Sequence, residues 1–580
     1  MERMPGIHVV TTKRSYKGKT YRSHLLRRSY REGKQVKKET VANLTPLGDE
    51  IVEIIRQSLK GRRLAPVDEL FDIVSSRHHG HAAAVVAAMK GLKLDKLLDP
   101  KPSRERQLAL TLIAARIVDP RSKLGTAHCL SHTTLTDLLA VSEADEVTED
   151  DLYAAMDWLL QRQDKIEARL AKRHLHNDAI ALYDLSSSYF EGRTCPLAAL
   201  GYNRDGKRGK LQVNYGLLTD REGRPVAISV FKGNVGDTTT LMPQVETMRD
   251  RFGIERFVLV GDRGMIAQKQ IDALRDESGV QWITALRPEA LRKLVRDGSV
   301  QLGLFDERNL AEIDHPDFPG ERLVVCRNPE LAKLRAHKRS SLLDSTDAEL
   351  DKVRSMVDKG RLQGADRIGV RVGRVINRFK VAKHYSLDIQ DQSFTYQRTE
   401  RTIAEEAALD GLYVIRTNVE PERMDRDEVV RGYKQLAHVE RSFRSMKTMD
   451  LSIRPIHHRT EPRVRAHILL CMLAYYVRWH LLEAWRPMLF CDEDLGAKNH
   501  RDPVAPAKRS ADADAKAASK TTADGQPLHS FQTLLHDLST LVRNTCRRPT
   551  AADGEASIDI DTGPSPLQQQ ALDLAASITL

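Results

Sequence analysis

A mixed α/β fold is predicted for this chain of 580 residues by three observations. Residues 179–190, AIALYDLSSSYF, form the apolar run a buried strand needs. The segments QVNYGLLTD and PVAISVFKGN alternate and are joined by the glycine-containing turn REGR, which marks a β-hairpin. Two further strands, RFVLVGD and WITALR, then alternate with helical stretches at 238–251 and 267–276, so the element order is β-β-β-α-β-α-β.

Length and composition set the frame around that core. At about 150 residues per domain the chain holds three to four folded units. Apolar residues make up 41% and charged residues 29%, a globular balance that excludes wholesale disorder. The formal net charge is +11 and the pI near 9.2, a bias towards polyanions. The first forty positions concentrate that surplus, with twelve Lys/Arg against three Asp/Glu, and make nucleic acid the leading partner class. Six cysteines without ligand or redox spacing exclude a zinc knuckle, a C-x-x-C centre and a disulfide framework, and fit a reducing cytosol. The amino terminus lacks a signal-peptide core, and nothing directs export. The most apolar stretch, 467–482, is interrupted by Arg478 and is shorter than the roughly 20 residues a bilayer span needs, so it reads as a buried helix and no membrane partner is expected.

Element by element, residues 1–45 read as a very basic β-hairpin region around the turn Arg31-Glu32-Gly33-Lys34, able to grip phosphates. Residues 46–175 read as a helical domain, with Ile51, Ile54, Ile55 and Leu59 at helix spacing. The core follows at 176–287. Residues 288–411 are less regular, mixing Lys/Arg-rich helices with strand-like pieces RIGVRV and HYSLDIQ, and read as an α+β insertion. The core resumes over 412–490 with the strand DGLYVIRTN and a long helix at 425–447. Residues 491–580 read as a low-complexity linker, disordered over 500–527, then one amphipathic helix at 531–543 and a loose tail.

Chemistry gathers on a few acids. Asp184 lies in the first core strand and Asp262 follows the apolar strand 257–260, so both carboxylates can emerge at one end of neighbouring strands. Such a pair can hold Mg²⁺ and leave positions open for water and phosphate oxygens. The long helix supplies a third acid, Glu440, with Tyr433 and Lys447 set seven residues to either side on one stripe, and Arg444 one turn beyond. The phenol and the cations there can hold a phosphate.

These residues resemble the DDE transposases of bacterial insertion sequences, in the branch marked by a Y-x2-R-x3-E-x6-K signature. The likeness rests on YDLSSSYFEG, KGNVGDTTT, VLVGDRGM, DGLYVIRTN, HVERSFRSMKT and RPIHHRTEPRVRAHILL, and covers most of the chain. It implies an RNase H-like catalytic core in which Asp184, Asp262 and Glu440 bind two Mg²⁺ ions, with Mn²⁺ an admissible substitute. It implies cleavage of double-stranded DNA at terminal inverted repeats, attack of the freed 3′-hydroxyl on target DNA, and a homodimer on DNA. Cytoplasmic residence, on the nucleoid when DNA is bound, follows from that role. It gives phosphate contacts to Tyr433 and Lys447, and because the signature's Arg position is Leu436 here, that further contact is either missing or supplied by Arg441 or Arg444. Ala267 stands where the aromatic after the second Asp motif is usual, and the insertion has no Trp on which a flipped base could stack.

Each feature has a plainer reading. Asp184 and Asp262 alone could end strands as turn residues. Glu440 with Arg444 could be a surface i, i+4 pair. Asp237, after Gly236, reads as the cap of the following helix, and Ser186 to Ser188 as strand packing, since no positioned base accompanies them. His78, His79 and His81 read as a helix start. The alternative to an enzyme is a catalytically inactive, transposase-derived DNA-binding protein.

Overall fold

Alternation of basic and apolar residues draws the start of the chain into β1 (Ile7–Tyr16), β2 (Lys19–Glu32) and β3 (Gln35–Asn43), an antiparallel meander with one strand more than the expected hairpin. This is a computed structural model, and it describes residues 6–62, 71–141, 146–301, 305, 308–448, 450–494, 496, 501–505, 508–522, 524–547 and 557–580. Gly33 turns β2 into β3 at φ 59, a left-handed value that glycine adopts without strain. α1 (Gly48–Leu59) packs on β1. The imidazole of His24, buried beneath it, bonds Thr11 Oγ1 at 2.9 Å and Asp49 Oδ1 at 2.6 Å. The outer part of the meander is bare, with Tyr16 and Tyr21 more than half exposed among exposed lysines and arginines. A second sheet joins β4 (Asp72–His78) to two strands from near the other end of the chain, Val542–Arg547 and Ile558–Asp561. Met1–Arg77 and Val542–Thr562 together make one unit, and His78–Leu541 with Gly563–Leu580 the other.

The larger unit starts with helices: α2 (Gly80–Gly91), α3 (Leu94–Leu98), α4 (Arg104–Val118), α5 (Lys123–Leu130), α6 (Leu135–Leu138), α7 (Glu149–Leu160) and α8 (Gln163–His174). Helix α2 is apolar over most of its circumference and buried accordingly, with Ala82, Ala84, Val85, Val86, Ala88 and Met89 inside and only Lys90, at its end, exposed.

The central sheet begins with β5 (Ala179–Tyr189), β6 (Gln212–Asp220) and β7 (Pro225–Lys232), consecutive and antiparallel. The helix expected at 238–251 is three short pieces instead: a 3-10 turn, α9 (Met242–Glu246), started by Pro243, and a π turn over Thr247–Arg251. β8 (Phe257–Val260) and β9 (Val280–Ala285), separated by α10 (Gln268–Arg275), run parallel to β5. After α11 (Pro288–Arg296), β10 (Leu310–Ile313) and β11 (Arg322–Arg327) extend the same sheet. A helical pair, α12 (Pro329–Asp358) and α13 (Ala365–Phe379), then leads through the small hairpin β12 (Tyr385–Ile389) and β13 (Phe394–Arg398) to α14 (Glu400–Ala407) and β14 (Leu412–Thr417). The sheet order is β10-β11-β14-β9-β8-β5-β6-β7.

The piece RIGVRV, expected as a strand, lies inside α13. Ile368, Val372 and Ile376 recur every four residues and pack against Leu350, Val353 and Val357 of α12, so helical periodicity overrides the β-branched composition.

The long helix expected at 425–447 is broken at Gln435 into α15 (Arg426–Lys434) and α16 (Leu436–Lys447). The apolar stretch after it is α17 (Glu461–Ala484), buried among α2, α4, α7, α16 and β7. Among the described residues no helix is long and apolar enough to cross a membrane.

The end of the chain departs most from expectation. Within 500–527, residues 511–519 are helical, while 500, 506–507 and 523 lie outside the described residues. The amphipathic helix stops at Ser539, and Val542–Arg547 is a strand. The supposed loose tail ends in a helix, Pro566–Ala576, whose Leu567, Ala571 and Ala575 join the main core beside α2. Trp485 Nε1–H donates to Ala571 O at 2.9 Å. Gly91 makes the approach possible, since a Cβ there would sit 1.9 Å from Ile578 O.

Candidate active site

Sheet register brings the first two acids together. In the parallel pair β5/β8 the last matched residues are Leu182 and Val260. Asp184 and Asp262 each lie two positions further on, so both sit at the same edge of adjacent strands. The β8 ladder closes there, with Gly261 N–H donating to Ile283 O at 3.2 Å. The chain then turns, and the N–H groups of Met265 and Ile266 donate back to Asp262 O at 2.9 and 3.0 Å. Glu440 arrives on α16, which packs across β5 through Val439, Phe443 and Met446, with the Phe443 ring 5.7 Å from that of Tyr215 on β6. The break at Gln435 lets α15 and α16 each follow the sheet.

Asp184 is half-buried and accepts a 2.8 Å hydrogen bond from Leu185 N–H, while Asp262 and Glu440 are exposed. Burial, together with the charges of Asp262 and Glu440, pushes the Asp184 carboxyl up to about 7, against the opposing pull of the Leu185 N–H and Arg204. The three acids are thus within electrostatic reach of one another. The Tyr433 phenol faces them, its pKa raised by burial and then by Asp262, with Glu440 adding to it.

A carboxyl with a raised folded-state pKa loses stability for the fold as pH climbs. Between the ordinary carboxylate range and about pH 7 the folded chain holds a proton the unfolded chain has released, and above about 7 the penalty is complete. Asp184→Asn should therefore raise the melting temperature of the metal-free protein at pH 8 and leave it nearly unchanged at pH 4. An equal shift at both pH values would contradict this.

The cations fall into distinct places. Lys447 Nζ bonds Asp205 Oδ1 at 3.0 Å, and Asp205 is also paired with Arg454 and accepts from Tyr189 N–H at 3.0 Å. Arg204, beside it, bonds Asp237 Oδ1 at 2.5 Å. Asp237 therefore does not take the expected cap position: Gly236 is the N-cap, Asp237 opens the 3-10 turn, and its carboxylate holds Arg204. The loop between β5 and β6 is pinned over the site by residues from α16 and the segment after it. The turn after β7 is pressed against this loop, as a Cβ on Gly201 would meet Gly233 O at 2.0 Å. Arg444 is exposed, without a carboxylate partner among the described residues, while the charge of Arg441 bears on Tyr475 and Cys491. Leu436 is buried in the core and brings no charge. Arg263, next to Asp262, acts on Tyr433, and Arg204 acts on Asp184; Arg263 stands inside the VLVGDRGM motif, while Arg204 lies in no motif that sequence reasoning singled out.

In kind, three carboxylates suit a hard divalent cation, and the repulsion felt by Asp184 is what such an ion would relieve. As they stand, no three His, Cys, Asp or Glu side chains among the described residues are drawn together tightly enough to clasp one ion.

A transposase DDE domain family model matches residues 190–477, and the model of the IS1634 family transposase N-terminal domain matches residues 9–66. No curated protein matches the chain in sequence. Among solved structures, the piggyBac transposase synaptic complex with hairpin DNA is similar at 8% identity, over 79% of this chain and 76% of that one, with a TM-score of 0.32. The Mos1 transposase paired-end complex with left transposon end is similar at 13% identity, over 33% and 62%, with a TM-score of 0.14. Overlap that slight bears no weight here, and the family models do. Catalytic domain and site together define the class of DDE transposases. With the amino-terminal match, the chain belongs to those of insertion sequences.

Proposed function

We propose that this chain cuts double-stranded DNA at the terminal inverted repeats of its element and joins the freed 3′-hydroxyl to target DNA, with Asp184, Asp262 and Glu440 as the catalytic acids. The observation that carries the reading is the pair of carboxylates leaving adjacent parallel strands, with Glu440 on the helix packed across the first of them. The strand order β7-β6-β5-β8-β9, with β5 to β7 antiparallel and β8 and β9 parallel to β5, supports the reading of an RNase H-like core. On this reading the core spans 176–287 and 412–490, the insertion 288–411, of which β10 and β11 extend the core sheet, and the helical domain 78–175, residues 46–77 of the expected 46–175 belonging to the smaller unit.

Two Mg²⁺ ions held by the acids, or Mn²⁺ in their place, would supply a nucleophilic water at neutral pH and a charge clamp on both oxygens of an in-line displacement. The chain's own residues do the positioning. The Tyr433 phenol, Arg263 and Arg444 hold the scissile phosphate, and Arg204 steadies Asp184. Lys447 acts through Asp205, fixing the loop that carries Arg204. The basic meander of residues 1–45 binds backbone phosphates, its exposed tyrosines lying among lysines and arginines. Two copies synapse the two ends as a homodimer. The test is nicking of supercoiled DNA carrying the element's ends. It should occur with Mg²⁺ or Mn²⁺ and cease with EDTA, and no nicking with either ion would sink the reading.

A further inference from the structure

A second cluster of charge lies away from the acids, in the larger unit, where α7 meets the start of α17. A cleft of ≈370 Å³ opens there between Tyr153, His457, His458, Arg459 and Arg463, with Glu149 as its one acidic wall residue. Thr460, the N-cap of α17, also lines it and makes no side-chain cap bond, so the positive end of a 24-residue helix faces the opening. The Arg463 guanidinium lies 4.1 Å from the centre of the Tyr153 ring, which holds it at the wall.

Behind this wall are two buried cations. Lys123 is 2% exposed and has no hydrogen-bond or ion-pair partner among the described residues; Arg116 is 6% exposed and gives one bond, to Arg121 O at 3.1 Å. Their charges act on His458, which lines the cleft, and on His467, whose ring is 4.9 Å from that of His458. His467 Nε2–H donates to Ile453 O, and its Nδ1 is buried without a partner. Burying a cation without an anion is costly; the cleft sets Arg459 and Arg463 against Glu149, Lys123 and Arg116 lie buried behind its wall, and the nearby Glu461 is taken by Arg465. Burial, with Arg116 adding to it, lowers Lys123 to about 7, the mark of a charge that lacks its counter-ion.

We propose that this cleft binds a phosphate group of the DNA backbone, at a position separate from the phosphate cut at the acids. Its place in the fold fits the assignment, which rests on the DNA-cleaving reading above. Ile456, next to His457, pairs with Phe190 at the end of β5. Six strand residues from Asp184 to Phe190 cover roughly 20 Å. That is about six base-pair steps of duplex at 3.4 Å each. A duplex laid along β5 from the acids would reach the cleft after a little over half a turn of about 10 base pairs, and a helix N-terminus flanked by arginines is a ready phosphate site.

The experiment uses the full chain with two probes, inorganic phosphate and a duplex of ~30 base pairs. Phosphate, compared with chloride at equal ionic strength, should raise the wild-type melting temperature and do so far less in Arg463→Gln and Lys123→Met. Arg463→Gln should weaken duplex binding about fivefold to tenfold in 0.1 M salt and lower the slope of log affinity against log salt by about one, with Arg463→Lys recovering most of the slope. Lys123→Met, which removes a buried charge, should fold at least as stably as wild type without phosphate. No response of the wild type to phosphate would overturn the proposal. So would a phosphate response with duplex binding untouched in Arg463→Gln, since the cleft would then serve free anions. Failure of the cleavage reading would appear separately, as absent nicking with these binding curves intact.

Discussion

Asp262→Asn should still bind duplex DNA while its metal-dependent nicking falls by about three orders of magnitude, equivalent to ~4 kcal/mol of transition-state stabilisation. Asparagine keeps the shape of the side chain and removes one negative charge where Asp184 already feels both neighbours. A cation held by the remaining two acids would be bound more weakly and the developing charge on the phosphate less well met. Asp184→Asn and Glu440→Gln should behave alike, because all three act on one centre. Nicking assays paired with anisotropy binding curves check this. A variant that cuts at the wild-type rate would remove its residue from the site.

Ending the chain at residue 562 should destabilise the larger unit, although the deleted segment lies far from the acids in sequence. The lost helix Pro566–Ala576 and Ile578 cover α2, a helix whose central turns are apolar on every side and have no polar face to offer water. Burying a leucine or isoleucine contributes about 1.5–3 kcal/mol each, so losing Leu567 and Ile578 with the alanines between them costs on the order of 5 kcal/mol. In a chain of this size that lowers the melting temperature by about 5 °C. Ala571→Asp should act in the same direction by placing a charge beside Trp485. Unchanged melting of both variants would show that the tail is dispensable.

What the sequence discloses and what it hides have physical reasons. The core strands and the hairpin are legible because alternation and turn residues are local signals, and the apolar runs leading to Asp place Asp184 within the first core strand and Asp262 just past another. Glu440 is legible only as part of a spaced helical signature. The clamp of Asp205 by Lys447 and Arg454, and of Asp237 by Arg204, joins residues that no local pattern links. Composition misleads in two places. RIGVRV looks like a strand until α12 supplies a partner for its four-residue spacing, and the Ala-rich end looks loose until α2 supplies an apolar face.

The sheet that joins β4 to Val542–Arg547 pairs segments from opposite ends of the polypeptide. A ribosome delivers β4 first and its partner strands only after the whole central sheet has been made. Until then the nascent amino-terminal unit carries an unzipped edge, and closing it spans a very long loop. A product whose translation stops before Val542 therefore leaves that edge open, so completion of this unit reports that synthesis has passed Glu440.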